Sequence, residues 1–254
     1  MQGFGAFLGK EVREIFRTWR IWVLPGLFVF IGLTSPVLAR FTPELVASVA
    51  GGETGIVIEV PEPTTVDAYL QFSKNAVQMV LIAIIIIAAG LIASERKSGT
   101  AVLVLTKPLD RGGFVVAKYT ANVLLLLGAT VLGAALCVGV TAVMFDTTGL
   151  VRFATATGLW LLFASMFVAV MILFSTILGS QAGASGAGVA FYLVISVLAA
   201  WGPTRDHSPA GLMTAGDRLL LGQEVQLAWP IVTAILMTVL AVAAAVLVFR
   251  RQEL

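Results

Sequence analysis

Residues 153–204 read FATATGLWLLFASMFVAVMILFSTILGSQAGASGAGVAFYLVISVLAAWGPT and contain no Asp, Glu, Lys or Arg. A helix needs about 20 apolar residues to cross roughly 30 Å of hydrocarbon, so this run is too long for one span. It breaks naturally at Gly179-Ser180-Gln181-Ala182-Gly183, which gives spans near 153–178 and 183–201. Barrel strands would be about ten residues long with alternating polarity. These stretches are longer and apolar on every side, so they read as helices. Four more uncharged runs lie outside this pair: 21–39, with Pro25 and Pro36 near its ends; 75–94, with Leu-Ile-Ala-Ile-Ile-Ile-Ile at 81–87; 119–145; and 225–249. The expected fold is an all-α membrane protein of six transmembrane helices in a single domain.

Composition agrees. Hydrophobic residues make up 59 % of the 254-residue chain and charged residues 12 %, against about 45–50 % and 25 % in soluble domains. Mean hydropathy is +0.99. So few charges cannot cover the surface of a soluble protein of this length, which excludes a water-soluble enzyme. With one cysteine, Cys137, there is no disulfide scaffold, and that thiol reads as a small buried hydrophobe. Val37-Leu38-Ala39 resembles a signal-peptide cleavage site, but the apolar run before it is too long for an h-region, so it reads as a retained span.

An even number of spans puts both termini on one side. Lys and Arg in the connections set which side that is. With cytoplasmic termini, Lys10, Arg13, Arg17, Arg20, Arg96, Lys97, Lys107, Arg111, Lys118, Arg250 and Arg251 fall inside, and Arg40, Lys74, Arg152, Arg205 and Arg218 outside. Eleven against five favours cytoplasmic termini in a bacterial inner membrane.

Residues 4–22 form a two-faced helical pattern. At about 100° per residue, Phe4, Phe7, Leu8, Val12, Ile15, Phe16, Trp19 and Trp22 share one half of the wheel. Lys10, Arg13, Arg17 and Arg20 cluster opposite, and Glu11 and Glu14 are assigned to one border, with Glu14 in reach of Lys10. The pattern predicts an amphipathic helix over 4–20 in the membrane interface, its basic face toward anionic headgroups or a partner.

No catalytic constellation emerges. His207, the only histidine, lies in the 202–224 connection and reads as a solvated loop residue; one His with one Cys makes no ordinary zinc site. Gly9-Lys10 does not end a phosphate loop, because Phe4 stands where its first Gly belongs and Glu11 where Ser or Thr belongs. The six uncharged runs hold no ionisable group of the kind that coupled carriers use at mid-membrane. Any work is therefore expected to be driven from outside the membrane, with no metal or cofactor in this chain.

The segment 95–118, ERKSGTAVLVLTKPLDRGGFVVAK, is too charged to enter the bilayer, at about 2.5–3.5 kcal/mol per mid-membrane charge. It is also too apolar for a solvated linker, with five apolar residues at 101–105. Ser98-Gly99-Thr100 suits a helix end and a new cap, and Pro108 suits a first helical turn. The segment predicts a short amphipathic helix across the cytoplasmic mouth, an apolar patch rimmed by charge and suited to docking.

Glu95-Arg96-x-x-Gly99-Thr100, followed by Leu105-x-x-Pro108-x-x-Arg111 and Lys118, resembles the E-R-x-x-G-T…L-x-x-P-x-x-R…K pattern of ABC-2-type permeases, the membrane subunits of ABC exporters. The motif lies in this one loop, while the six-span layout and the N-terminal helix extend the resemblance along the chain. By that resemblance the N-terminal helix, with Lys10, Arg13, Arg17, Trp19 and Arg20, is an elbow. The loop couples to a separate ATPase that binds ATP and magnesium. Glu95, Arg96, Gly99, Thr100, Pro108, Arg111 and Lys118 are the implied coupling residues, and the 179–183 turn is a second, smaller contact. The resemblance also implies a second permease copy, identical or paralogous, and no nucleic-acid partner.

Gly179, Gly183 and Ala187 repeat every four residues, as do Ala184 and Gly188, a spacing that lets membrane helices approach closely. Packing within the chain and a role facing a second copy or the transport pathway remain equal readings. The 40–74 segment, acidic and with Pro61 and Pro63, reads as an outer cap. On the residues alone, two other classes stay open: a secondary transporter or channel, and a scaffold that recruits a cytoplasmic partner.

Overall fold

A computed structural model describes residues 3–51, 62–99, 110–146 and 148–252. Six helical stretches among them are long and apolar enough to cross a membrane: Arg20–Glu44, Thr65–Lys97, Arg111–Met144, Leu150–Leu178, Gln181–Ala200 and Ala228–Arg251. No strand occurs among the described residues. This is the expected all-α, six-span architecture.

A first helix, α1 (Phe4–Arg17), bends at Thr18–Trp19 into α2 (Arg20–Gly51). Pro25, Pro36 and Pro43 lie inside α2, tolerated where neighbouring helices or hydroxyls satisfy the freed backbone. The second span is segmented: α3 (Thr65–Asn75), a π-helical turn at Ala76–Val80, α4 (Leu81–Ala89), a break at residues 90–92, and α5 (Ala93–Lys97). It starts ten residues earlier than the uncharged run, at a capping box in which Asp67 accepts from the Thr64 backbone N–H at 2.8 Å. Then follow α6 (Arg111–Met144), α7 (Leu150–Leu178) and α8 (Gln181–Ala200). The 202–224 connection contains two short helices, α9 (Gly202–His207) and α10 (Gly211–Leu220), before α11 (Ala228–Arg251). These helices outrun the charge-free stretches. Asp67 and Lys74 fall inside the second, and Lys118 lies in α6, not in a loop, because charges near a span's ends are tolerated when they are paired or reach the interface.

The α2–α6 pair is the main packing seam, and α7 packs on α4, α10 and α11. In the most apolar 18-residue stretch of each span, 72 % of Thr65–Lys97 is buried and only 17 % of Ala228–Arg251, so the segmented helix is central and α11 peripheral. Inside, Tyr69 stacks on Phe153 at 4.2 Å and Phe28 meets the edge of Trp160 at 5.3 Å, arrangements worth more than area alone. Asn75 donates to Ser35 Oγ at 3.0 Å, joining α3 to α2 by a polar contact, and accepts from Gln71 of its own helix at 3.3 Å. Cys137 is a buried free thiol, and His207 is exposed, its Nδ1 3.0 Å from the Pro203 carbonyl.

The small residues of α8 divide. Ala184 and Gly188 face inward, where a Cβ on Gly188 would collide with Met171 and Ile85. Gly183 is exposed and Ala187 half-buried, so that stripe lies on an open face, below the Gly179 turn. Packing within the chain thus uses the neighbouring stripe.

Span two is broken where Gly90 follows α4. Ser175 of α7 bridges the gap: its Oγ accepts from the Ile92 and Ala93 backbone N–H groups at 3.1 and 3.0 Å and donates to the Ala89 carbonyl at 2.7 Å. One hydroxyl thereby uses its donor and both lone pairs.

The closest approach of α2 and α6 is at Gly32 and Gly133. A Cβ on Gly32 would lie 2.5 Å from the Gly133 carbonyl oxygen, and one on Gly133 would lie 2.8 Å from Phe28 Cβ. Gly32→Ala is therefore expected to destabilise the protein by about 1–3 kcal/mol through overpacking. Gly139→Ala, whose added methyl meets nothing within 4 Å, should be neutral or stabilising. Thermal unfolding of the purified protein in detergent measures both.

Candidate functional site

The ends of five helices converge where the N- and C-terminal segments meet. α1 supplies Glu11, α5 supplies Glu95 and Arg96, the first turns of α6 supply Arg111 and Lys118, and α7 and α11 present their C-termini. Lys118 is completely buried. Its ammonium donates to Glu95 Oε1 at 2.6 Å and to Glu11 Oε2 at 3.0 Å. Glu11 is itself 2 % exposed. A charge removed from water this far must be paired, so the ammonium compels three helices to meet.

Glu11 corrects the sequence reading, which set it on the border of the amphipathic helix. It stands four residues from Phe7 and four from Ile15, on the same stripe, and all three are buried. The apolar arc therefore splits. Phe7 and Ile15 pack inward, while Phe16, Trp19 and Trp22 remain 52–79 % exposed. Lys10 bonds both Glu11 at 3.0 Å and Glu14 at 2.5 Å. Partial burial works against the Lys10 ammonium, but Glu14 and Glu11 outweigh it and hold its pKa above the usual lysine value. Burial likewise pushes the Glu14 carboxyl up, and its bond to Lys10 outweighs that and carries it below the usual range. The carboxylates of Glu11, Glu14 and Glu95 lie within 4.8 Å of one another. That spacing suits a cation, and the Lys118 and Lys10 ammoniums supply the positive charge.

Beside this cluster the arginines act as helix caps. Arg96 Nη1 donates to the Thr176 carbonyl at 3.0 Å, and Gln252 Nε2 donates to the same oxygen at 2.9 Å. Arg111 Nη1 reaches the carbonyls of Arg250 at 3.0 Å and Gln252 at 2.8 Å. The last carbonyls of a helix lack partners and carry partial negative charge, so a guanidinium there is doubly favourable. Asp110 caps α6, accepting from the Gly112 N–H at 3.1 Å, and pairs with Arg250 at 3.2 Å. That backbone bond, then Arg250, hold the Asp110 carboxyl below its ordinary range. An aromatic stack ties the same helices together: Phe7 lies 5.3 Å from Phe114, and Phe114 5.1 Å from Phe249.

Of the residues singled out in the sequence, Glu95, Arg96, Arg111 and Lys118 thus share one junction. Gly99 ends the α5 side with φ +73°, a left-handed turn that favours glycine. Thr100, Pro108 and the expected short helix between them lie outside the described residues. Gly179 sits beside Arg96, with its Cβ position 3.8 Å from Nη1, which brings the 179–183 turn to the same end of the bundle. Arg13 and Arg17 are exposed and Arg20 half-buried, away from the cluster. Sequence reasoning missed Glu11, Ser175 and Gln252; only Glu11 had a signal, its alignment with Phe7 and Ile15.

Residues 6–205 match the family described as ABC-2 family transporter protein. The chain belongs to that family. The match runs from the α1 junction through all the helices up to α9. This ABC-2 protein is also 24 % identical to an uncharacterized transmembrane protein of Bacillus subtilis (strain 168), YxlG, over 98 % of its own length and 97 % of the relative's.

Lys118→Met would leave Glu95 without its cation and buried Glu11 with Lys10 alone. We expect it to destabilise the protein by about 3–5 kcal/mol, measured by thermal unfolding in detergent. Adding Glu11→Leu and Glu95→Leu to the same variant should restore most of that loss. If the triple variant unfolds as readily as the single one, charge pairing is not what holds the junction.

Proposed function

We propose that this chain is the membrane-spanning subunit of an ATP-driven exporter in a bacterial cytoplasmic membrane, with both termini cytoplasmic. Two such subunits, identical or paralogous, would work with separate ATPase subunits that bind and hydrolyse ATP with magnesium. Family membership and the excess of Lys and Arg on the terminal side support the class and the orientation.

The observation that carries the reading is the junction itself. The segment between α5 and α6 leaves beside Glu95 and returns through α6 to Lys118, and the 2.6 Å bond between these two joins its stems. Force applied to that segment passes along four routes. Lys118 and Glu11 take it to α1, Arg96 takes it to the end of α7, Arg111 takes it to α11, and Glu95 holds α5 to α6. A partner closing on this end would therefore move several spans together. Glu95, Arg96, Gly99, Thr100, Pro108, Arg111 and Lys118 are the residues assigned to coupling, and the elbow helix with Lys10, Arg13, Arg17, Trp19 and Arg20 would lie in the interface. In such a device, a ligand that prefers the outward state must shift nucleotide affinity in the partner by the same factor.

The test reconstitutes the chain with the ATPase that co-purifies with it. Glu95→Gln and Arg111→Ala should leave membrane insertion unchanged and lower ATP-dependent transport by about ten-fold or more, within the usual range of coupling energies. Wild-type transport by both variants would count against the coupling role. Transport by the isolated chain with no ATPase present would overturn the reading in favour of a secondary transporter or channel.

A further inference from the structure

An apolar groove of about 460 Å³ opens between α1, the start of α2 and α6. Val12, Ile15 and Phe16 form one wall, Ile21 and Pro25 the second, and α6 the third, from Ala121 to Leu132. Every lining side chain is apolar. α2 and α6 touch at Gly32 and Gly133, and the groove lies toward the end where α1 joins. At 1.5 Å per residue, the wall from Ala121 to Leu132 is about 16 Å long. One leaflet of a bilayer is about 15 Å of hydrocarbon. The wall therefore matches the acyl depth of one leaflet, and Trp19 and Trp22, both exposed, are of the residue type suited to the headgroup level.

The rim is positive. Lys10 takes up Glu14, and Lys118 takes up Glu11. Arg13, Arg17 and Arg20 form no ion pair among the described residues. Arg13 lies about one turn before Phe16 on α1, and Arg20 opens α2 next to Ile21; Phe16 and Ile21 both line the groove. Acyl-length apolar walls under unpaired guanidiniums complement one ligand in both parts.

We infer that this groove is a binding site for one anionic phospholipid, its acyl chain between α1 and α6 and its phosphate held by Arg13 and Arg20. The inference depends on membrane insertion, not on the ATPase reading. A lipid so held makes α1 and the mouth of α2 and α6 one packed unit, filling space that protein side chains leave open.

The test is native mass spectrometry of the full chain released from nanodiscs containing equal phosphatidylglycerol and phosphatidylcholine. Wild-type protein should retain one phosphatidylglycerol per chain in preference to phosphatidylcholine. Each arginine near an anionic headgroup is worth about five-fold, so Arg13→Gln with Arg20→Gln should lower that preference by about 25-fold. Gly128→Leu fills the groove from a position where an added Cβ meets nothing within 4 Å, and should abolish retention of either lipid. Leu124→Trp, at an exposed site on the same wall, should do the same and guards against a folding defect in the first variant. Equal retention of both lipids by wild type would overturn the proposal. So would retention of phosphatidylglycerol by both filled variants, or a loss of self-association in them with lipid retention unchanged, which would assign the groove to a second copy of the chain.

Discussion

A lysine ammonium with no access to water, held between two glutamates from different helices, sets the arrangement of everything around it. Lys118 is about two turns inside a helix that otherwise faces hydrocarbon and its own core. Removing either carboxylate would leave the ammonium on a single partner in an environment that does not solvate it, so α1 cannot leave α6, nor α5 leave both, without a cost of several kcal/mol. The aromatic column of Phe7, Phe114 and Phe249 lies directly alongside and adds a non-polar tie between the same chain ends. Charge fixes the register and the rings fill the space. The result is a stiff collar at one end of an otherwise loosely gathered bundle, whose outer helices α8 and α11 keep most of their surface open.

The six helices were legible because a run of about 20 residues without charge has few alternatives. Their lengths were not, because that criterion halts at the first charge. Asp67 closes a capping box, Lys74 sits within the second helix and Lys118 is neutralised by carboxylates, so the helices continue through all three. The junction was half legible. Glu95, Arg96, Arg111 and Lys118 stood out as charges in a segment too apolar to be a linker. What they bind did not, since the carbonyl partners of Arg96 and Arg111 lie 80 and 139 residues away. Glu11 was misjudged because its type outweighed its position. An acid on a buried stripe is rare unless a cation meets it, and nothing local announces that cation. Ser175 could not be found at all, because one hydroxyl in a long apolar run looks like any other.

Glycine spacing illustrates a related limit. The repeat at 179, 183 and 187 and the one at 184 and 188 are equivalent as patterns, yet only the second is used within the chain. The decisive close contact, between Gly32 and Gly133, belongs to neither repeat. Close approach is a property of pairs of helices, and a single helix's spacing shows readiness for it without showing where it happens.

The bridge made by Ser175 has a mechanical consequence. Its oxygen has no spare capacity, and the two amide groups and one carbonyl it serves sit where no water can replace it. The short end of span two is thus tied to α7 as well as, through the Ser94 N–H on the Gly90 carbonyl, to its own upper half. A tilt of residues 92–97 relative to α7 would strand the Ile92 and Ala93 amide groups, whereas a tilt that carries α7 along would part only the Ala89 carbonyl from Ser175. Leverage applied at that tip is converted into a shared swing of two spans about the break.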